Sequence, residues 1–186
     1  IVFMPPPPTP SARTPAQARY VEGQALFEQA KWDEALAAYR AAVEKDPEMS
    51  EAWYQIGLAE MAKACGQRCE AAYGPLKRCL ELNPDHADAH NCFGNFLLLV
   101  REDLPRAEEH LRAAVRLDPS FAAHRKLATV FERREDLDGA IREMLAYVRI
   151  SGDPSGSGKA YVAELRAMKK FGRAAKPDAE AQARSP

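Results

Sequence analysis

No apolar run in this 186-residue chain approaches the length of about 18 residues that a membrane-spanning helix requires; its longest aliphatic stretch is Leu97-Leu98-Leu99-Val100. The body of the chain is therefore not expected to insert into a bilayer. Net charge is also lacking: 26 basic against 27 acidic residues leave −1, which argues against a general role on nucleic acid. Catalytic frames are missing as well. Gly152 to Lys159 invites comparison with a phosphate-binding loop, but Asp153 stands where its first glycine belongs and Ala160 where a magnesium-binding hydroxyl belongs, and the segment comes after a helix, not a strand. His86 and His90 lie four apart beside Asp85 and Asp88, yet no glutamate follows the first histidine to act as a base. A solvated helix start, its acids complementing the helix dipole, is the expectation there. No nucleophile sits in a recognisable frame, so no catalytic residue, metal site or cofactor is expected.

What the chain does have is a rhythm. Three stretches end alike, at Glu-Lys-Asp-Pro47, Glu-Leu-Asn-Pro84 and Arg-Leu-Asp-Pro119, 37 and 35 residues apart. Small residues return in phase before them: Gly23, Ala35, Ala42; Gly57, Ala72, Cys79; Gly94, Ala107, Ala114. Proline closes each stretch because its ring cannot continue a helix and it drives the preceding residue toward extended backbone. This frame resembles that of the tetratricopeptide repeat superfamily, whose period is about 34 residues, and the likeness covers roughly 15–152. It implies an all-α solenoid of about four helix-turn-helix repeats, over 15–49, 50–86, 87–120 and 121–152. It also implies roles for the small residues. Gly23, Gly57 and Gly94 bring the second helix to backbone contact, with Ala35, Ala72 and Ala107 facing them, while Ala42, Cys79 and Ala114 let the next hairpin stack. Tyr39, Trp53, Ile56, Phe93 and Leu111 fill what remains. In the fourth repeat Leu127, Ala128, Phe131, Ala140, Ile141 and Met144 keep the phase, and Gly152 stands where proline would be.

The pattern predicts helices over 15–30, 33–46, 50–65, 71–83, 86–101, 104–117, 120–134 and 137–150, with Ser50, Asp85, Ser120 and Asp136 as N-caps. A loop from Asp153 to Gly158 leads to a last amphipathic helix, about 159–171, whose stripe of Tyr161, Val162, Leu165, Met168 and Phe171 is expected to cap the array. Residues 172–186 read as a disordered tail. Residues 1–14 read as a Pro-rich extended arm, about 3.1 Å per residue, or else an untethered one. Ile1-Val2-Phe3 is too short for a signal sequence, and no lipid-acceptor cysteine precedes the prolines.

Four cysteines, Cys65, Cys69, Cys79 and Cys92, cluster within the second repeat and the start of the third. Three readings stay open. As disulfides, Cys65 and Cys69 would close the insertion that lengthens the second repeat, and Cys79 could meet Cys92; as a metal site, the set lacks the C-x₂-C pairs usual for zinc. As thiols, Cys79 simply replaces the usual alanine as a small hydrophobe. Bridged cysteines would place the protein outside a reducing cytoplasm. Pro75, three residues after Ala72, requires the second helix of that repeat to start late or kink, which a nearby bridge would offset.

The resemblance implies that the first helix of each hairpin lines a binding groove through its second, fifth, ninth and twelfth positions. Those positions are Gln17, Tyr20, Gln24 and Phe27; Glu51, Tyr54, Leu58 and Met61; Asp88, Asn91, Asn95 and Leu98; Ala122, Arg125, Thr129 and Glu132. Tyr20, Gln24, Phe27, Tyr54, Leu58, Met61, Asn91, Asn95 and Leu98 suit an extended or helical peptide with apolar anchors, and Arg125 an acidic group on it. The carboxylate clamp of chaperone-docking relatives is not matched, since Gln24 and Leu58 occupy its asparagine positions and its lysines are missing. His90-Asn-Cys-Phe-Gly-Asn-Phe-Leu97 resembles a stretch in the tetratricopeptide pilotins of type IV pilus secretins, and Asp118-Pro-Ser-Phe121 resembles the segment after their next helix. That likeness implies a lipoprotein on the periplasmic side of the outer membrane that assists secretin assembly, held by an N-terminal lipid anchor outside this chain. The alternative is a cytoplasmic adaptor organising a signalling or motility complex.

Overall fold

The computed structural model describes residues 13–63, 70–119 and 121–172, the side chain of Phe121 excepted. Positions 1–12 of the expected Pro-rich arm, the Cys65 to Cys69 insertion, the Ser120 cap and the tail beyond Gly172 lie outside those residues. Every regular element among the described residues is helical: α1 Pro15–Glu28, α2 Trp32–Lys45, α3 Ser50–Lys63, α4 Tyr73–Leu82, α5 Ala87–Phe96, α6 Leu104–Leu117, α7 Phe121–Arg133, α8 Leu137–Ser151 and α9 Ser157–Phe171. The chain divides after Pro84 into two units, one holding α1 to α4 and the other α5 to α9.

The starts of α1, α5, α6 and α8 are fixed by local side chains. Thr14 and Gln17 form a reciprocal capping box before α1, at 3.2 and 2.9 Å, and Pro15 takes the first turn, where its missing N–H costs nothing. Asp103 accepts from the Arg106 amide at 3.2 Å and Asp136 from the Gly139 amide at 2.8 Å. Two expected caps are corrected. Ser50 is already the first helical residue of α3, and the amides of Ala52 and Trp53 turn to the Met49 carbonyl. Before α5 the cap is His86, not Asp85, its Nδ1 accepting from the Ala89 amide at 3.3 Å. Pro75 acts as expected: a single 3₁₀ turn, Glu70–Ala72, precedes α4, and the proline falls in its first turn.

In the first unit Ala35, Leu36, Tyr39, Ala42, Val43, Ala52, Ile56 and Ala59 form the core, with Tyr20, Leu26, Phe27, Met49 and Trp53 packed against it. The groups pressed against the glycines differ from expectation. A Cβ on Gly23 would stand 2.5 Å from the Tyr39 ring, on Gly57 2.6 Å from Leu76 Cγ, and on Gly94 2.6 Å from Leu111 Cγ. Ala35, Ala72 and Ala107 are buried one turn earlier; the glycine makes room for a large side chain, and at Gly94 the expected approach of Ala107 is seen as well, its carbonyl 3.2 Å from an added Cβ. Between helices, Arg40 Nη2 donates to Glu60 Oε1 at 2.7 Å, and Trp53 Nε1 pins the turn by donating to the Pro47 carbonyl at 2.9 Å.

In the second unit α5 packs on α6, α6 on α7, α7 on α8, and α9 on α8. Phe93, Phe96, Leu97, Leu111, Leu127, Val130, Met144 and Leu165 are buried. His124 Nδ1 lies 2.8 Å from Glu143 Oε2, tying α7 to α8. Val162, Leu165 and Met168 of α9 are buried and Tyr161 is half-buried, its hydroxyl donating to Glu132. Phe171, counted in the same stripe, is instead 67% exposed, because α9 ends there.

Candidate functional site

The ten expected partner-facing residues fall on both units. In the first, Tyr20, Gln24 and Phe27 lie on α1 and Tyr54, Leu58 and Met61 on α3, and all six are half-buried. Tyr20 is built into its surroundings. Its ring lies 5.9 Å from that of Tyr39, and its hydroxyl accepts from Gln24 Nε2 at 3.2 Å. Burial first, and Glu51 of α3 second, raise the Tyr20 phenol above its ordinary value, while a hydrogen bond with Gln55 pulls the other way. Tyr20 thus joins α1 to α3. Phe27 meets Trp32 edge-on at 4.8 Å.

In the second unit Asn91 Oδ1 accepts from Lys126 Nζ at 2.8 Å, linking α5 to α7. Burial lowers the Lys126 ammonium from its ordinary value, with Cys92 and Asp88 opposing. Asn95 is half-buried. Leu98 is a correction: it is 2% exposed and belongs to the core, whereas its neighbour Leu99 is 52% exposed. The cause is a π-helical turn over Leu97–Arg101, where wider winding takes the side chains out of the α-helical register that the positional rule assumes. Arg133 Nη1 donates to the carbonyl of Leu98 at 3.1 Å.

Three of the four positions expected to line the fourth repeat do come together. Ala122, Arg125 and Thr129 border a recess of about 300 Å³ with Lys126 and Tyr147. A second recess of about 230 Å³ shares Arg125, Thr129 and Tyr147 and adds Met144, Ser157, Gly158 and Tyr161. Lys126 and Tyr147 were not among the expected lining residues. Tyr147 comes from the second helix of its hairpin and Lys126 from one position past Arg125, so a rule confined to a few first-helix positions does not reach either.

Two segments weighed for chemistry find other uses. Asp153 is buried, and its carboxylate accepts from the amides of Gly158 at 3.0 Å and Lys159 at 2.9 Å. Those hydrogen bonds hold its carboxyl below the usual range. The helix start that could have cradled a phosphate is thus occupied by the chain's own acid. His90 is not the solvated residue expected: it is half-buried, with its Nδ1 2.9 Å from Nδ1 of His110. Phe93 meets the His110 ring edge-on at 4.8 Å, and burial, with His90 beside it, pushes the His110 imidazole down to about 4.

Cys79 is buried in α4 and Cys92 half-buried in α5, and each carries a thiol. Cys79 packs as a small hydrophobe, as alanine does at that place in the other repeats.

A model of the tetratricopeptide repeat family matches residues 20–65 and 97–155, more than half of the chain. Among solved structures, MamA (41 to the end) from Desulfovibrio magneticus RS-1 is similar at 23% identity, over 86% of this chain and 88% of that one, with a TM-score of 0.73. PilF of Pseudomonas aeruginosa is similar at 18% identity, over 83% of this chain and 69% of that one, with a TM-score of 0.71. The first such domain of Spaghetti (RPAP3), solved with the HSP90 peptide SRMEEVD, is similar at 20% identity, over 64% and 93%, with a TM-score of 0.60. At these identities the likeness is one of fold.

Proposed function

The chain belongs to the tetratricopeptide repeat family, and from that premise we propose that it is a non-catalytic scaffold that binds a segment of another protein. The observation that carries this reading is the arrangement on α1 and α3, where aromatic, aliphatic and amide side chains at the family's binding positions are half-buried and not sealed in the core. Half-buried anchors among amides suit a peptide that gains both apolar contact and hydrogen bonds. The specific partner proposed is an outer-membrane secretin, met on the periplasmic side, with the protein acting as a pilotin. The stretch from His90 to Leu97 supports that choice; the likeness to PilF adds the fold only.

The test is co-purification with secretin from outer membranes of the source cells. A Tyr54→Ala/Leu58→Ala double substitution is expected to lower secretin recovery without loss of helical signal, and unchanged recovery would remove these faces from the reading. A second reading is a cytoplasmic adaptor organising a signalling or motility complex, which requires reduced cysteines. Alkylation of the protein isolated from its native compartment separates the two. Four modified thiols without reductant favour the adaptor; Cys65 and Cys69 modified only after reduction favour the periplasm.

A further inference from the structure

We infer that the outward face of α8 receives an amphipathic helix of a protein partner, one that carries two carboxylates about two turns apart with an apolar side chain between them. This face belongs to the second helix of its hairpin and shares no residue with the first-helix groove positions, so the inference does not rest on the peptide reading. Ala140 and Met144 are buried, and Met144 shares a recess with Arg125 and Thr129 of α7. At about 100° per residue, Arg142, Leu145 and Arg149 come on the opposite side of α8. All three are exposed, Leu145 at 44%. With half-buried Ile141 and Ala146 they border a shallow recess of about 470 Å³.

The uncompensated charge on this face is of one sign. The acids of α8 are taken up by the helices packed on it: Asp138 accepts from Lys169 of α9, and Glu143 Oε2 lies 2.8 Å from His124 Nδ1 of α7. Arg142 and Arg149 have no carboxylate partner among the described residues. A single unpaired cation is ordinary solvated charge. Here two of them, seven residues and about 10 Å apart along one helix, bracket an exposed leucine. That is the period at which a packed helix presents its own side chains. A partner helix laid along α8 covers Ile141 and Leu145 with its apolar stripe, while Asp or Glu residues seven apart meet the two guanidiniums at the rim, as charges beside a coiled-coil seam do. Two other occupants fit less well. A second copy of this chain, related by a two-fold axis through the face, would set Arg142 against the partner's Arg149. An anionic lipid surface is held by clusters of about four to eight basic residues, and this face offers two.

A phage-displayed library of three-helix bundles with one outward helix face randomised, selected on the full chain, tests this. Bundles that bind the unmodified chain but not its Leu145→Ser variant are expected to share Asp or Glu residues seven apart with an apolar residue between. In one such purified bundle, Glu→Gln at both positions is expected to weaken binding about 3- to 10-fold, the range for two exposed ion pairs. That loss should vanish against Arg142→Ala/Arg149→Ala. Exchanging the charges, with both acids of the bundle changed to Lys and the chain carrying Arg142→Glu/Arg149→Glu, is expected to recover most of the affinity. The substituted side chains are exposed, so helical circular dichroism should be unchanged in every variant. Tyr54→Ala/Leu58→Ala should leave bundle binding unchanged, which separates this face from the groove. No Leu145-dependent bundle, selected helices without the paired acids, or an equal Glu→Gln loss with and without the two arginines overturns the inference and leaves the peptide reading standing. Phosphatidylglycerol vesicles that bind the chain and release its Arg142→Ala/Arg149→Ala variant, where no acidic helix is selected, overturn it in favour of a lipid surface.

Discussion

Tyr39 lies with its ring over Gly23 while its hydroxyl, fully buried, has no hydrogen-bond partner among the described residues. Burial pushes that phenol up to about 12. An orphaned buried hydroxyl costs about 1–3 kcal/mol, so Tyr39→Phe is expected to leave stability unchanged or raise it by about 1 kcal/mol in urea unfolding; a loss above that size would mean the hydroxyl is satisfied. Gly94 presents the reverse case. An added Cβ would meet Leu111 Cγ at 2.6 Å and the Ala107 carbonyl at 3.2 Å, and Gly94→Ala is expected to cost about 1–3 kcal/mol by overpacking. In the fourth hairpin the corresponding places hold Ala128 and Met144, both buried. A flexible Met tolerates the extra methyl, so adding Leu111→Met to Gly94→Ala is expected to restore part of the loss. The glycine positions were legible in the sequence because they recur. That Tyr39, Leu76 and Leu111 press on them was not, since the period marks small residues without saying which large one lies across the interface. His110 supplies the pH dependence at this scale. Its imidazole titrates near 4 when folded against about 6.5 unfolded, so the unfolded chain binds the proton first, and stability present above about pH 6.5 is lost as pH falls toward 4. His90, Glu109 and Arg106 are the titratable or charged groups acting on it. Thermal melts of His110→Phe are expected to fall less between pH 7 and pH 5 than those of the unmodified chain, and equal slopes would refute the assignment.

The elements show where helix-level reading holds and where it fails. Boundaries at α1, α6 and α8 fall within two residues of expectation, and capping side chains announce their starts. The turns inside the hairpins do not announce themselves. Ala30, Glu102 and Glu135 each adopt left-handed backbone, at φ 57, 56 and 64°, where a helix end ordinarily takes glycine. The Asp136 amide closes one such turn on the Phe131 carbonyl at 2.9 Å. Left-handed backbone costs a residue with a Cβ about 1–2 kcal/mol, partly offset by the lower unfolded-state entropy of a non-glycine residue. Ala30→Gly is thus expected to stabilise by about 0.5–1 kcal/mol, the difference of those two effects, raising the urea midpoint at unchanged m-value. The π-helical turn after α5 is the element-scale reason that Leu98 left the candidate site. An aliphatic run of four residues carries no mark of where the winding widens.

At the scale of the molecule, each unit has its own buried core, and the second carries α9 over its last hairpin. Helical-repeat arrays draw their stability from neighbouring hairpins and a cap. Residues 85–186 expressed alone are therefore expected to keep helical circular dichroism and to melt cooperatively, and a gradual, non-cooperative loss of signal would refute this. The positional rule holds better in the first unit, where all six named residues stay half-buried, than in the second, where Leu98 falls into the core. First-helix positions named Tyr20, Gln24, Phe27, Tyr54, Leu58, Met61, Asn91, Asn95 and Arg125 as residues outside the sealed core, whereas Lys126 and Tyr147 enter the Arg125 recess only through packing.

By itself the order of residues determined the all-helical repeat fold, because small residues and prolines at fixed spacing leave few other ways to bury the intervening aromatics. Tertiary structure alone decided which side chains fill the space over each glycine, which leucine of Leu97-Leu98-Leu99 stays outside, and that Asp153 occupies its own helix start. The physical reason is one of range. Spacing along the chain encodes which face of a helix is apolar, but the fit between faces depends on winding, rotamer and charge brought together from distant positions.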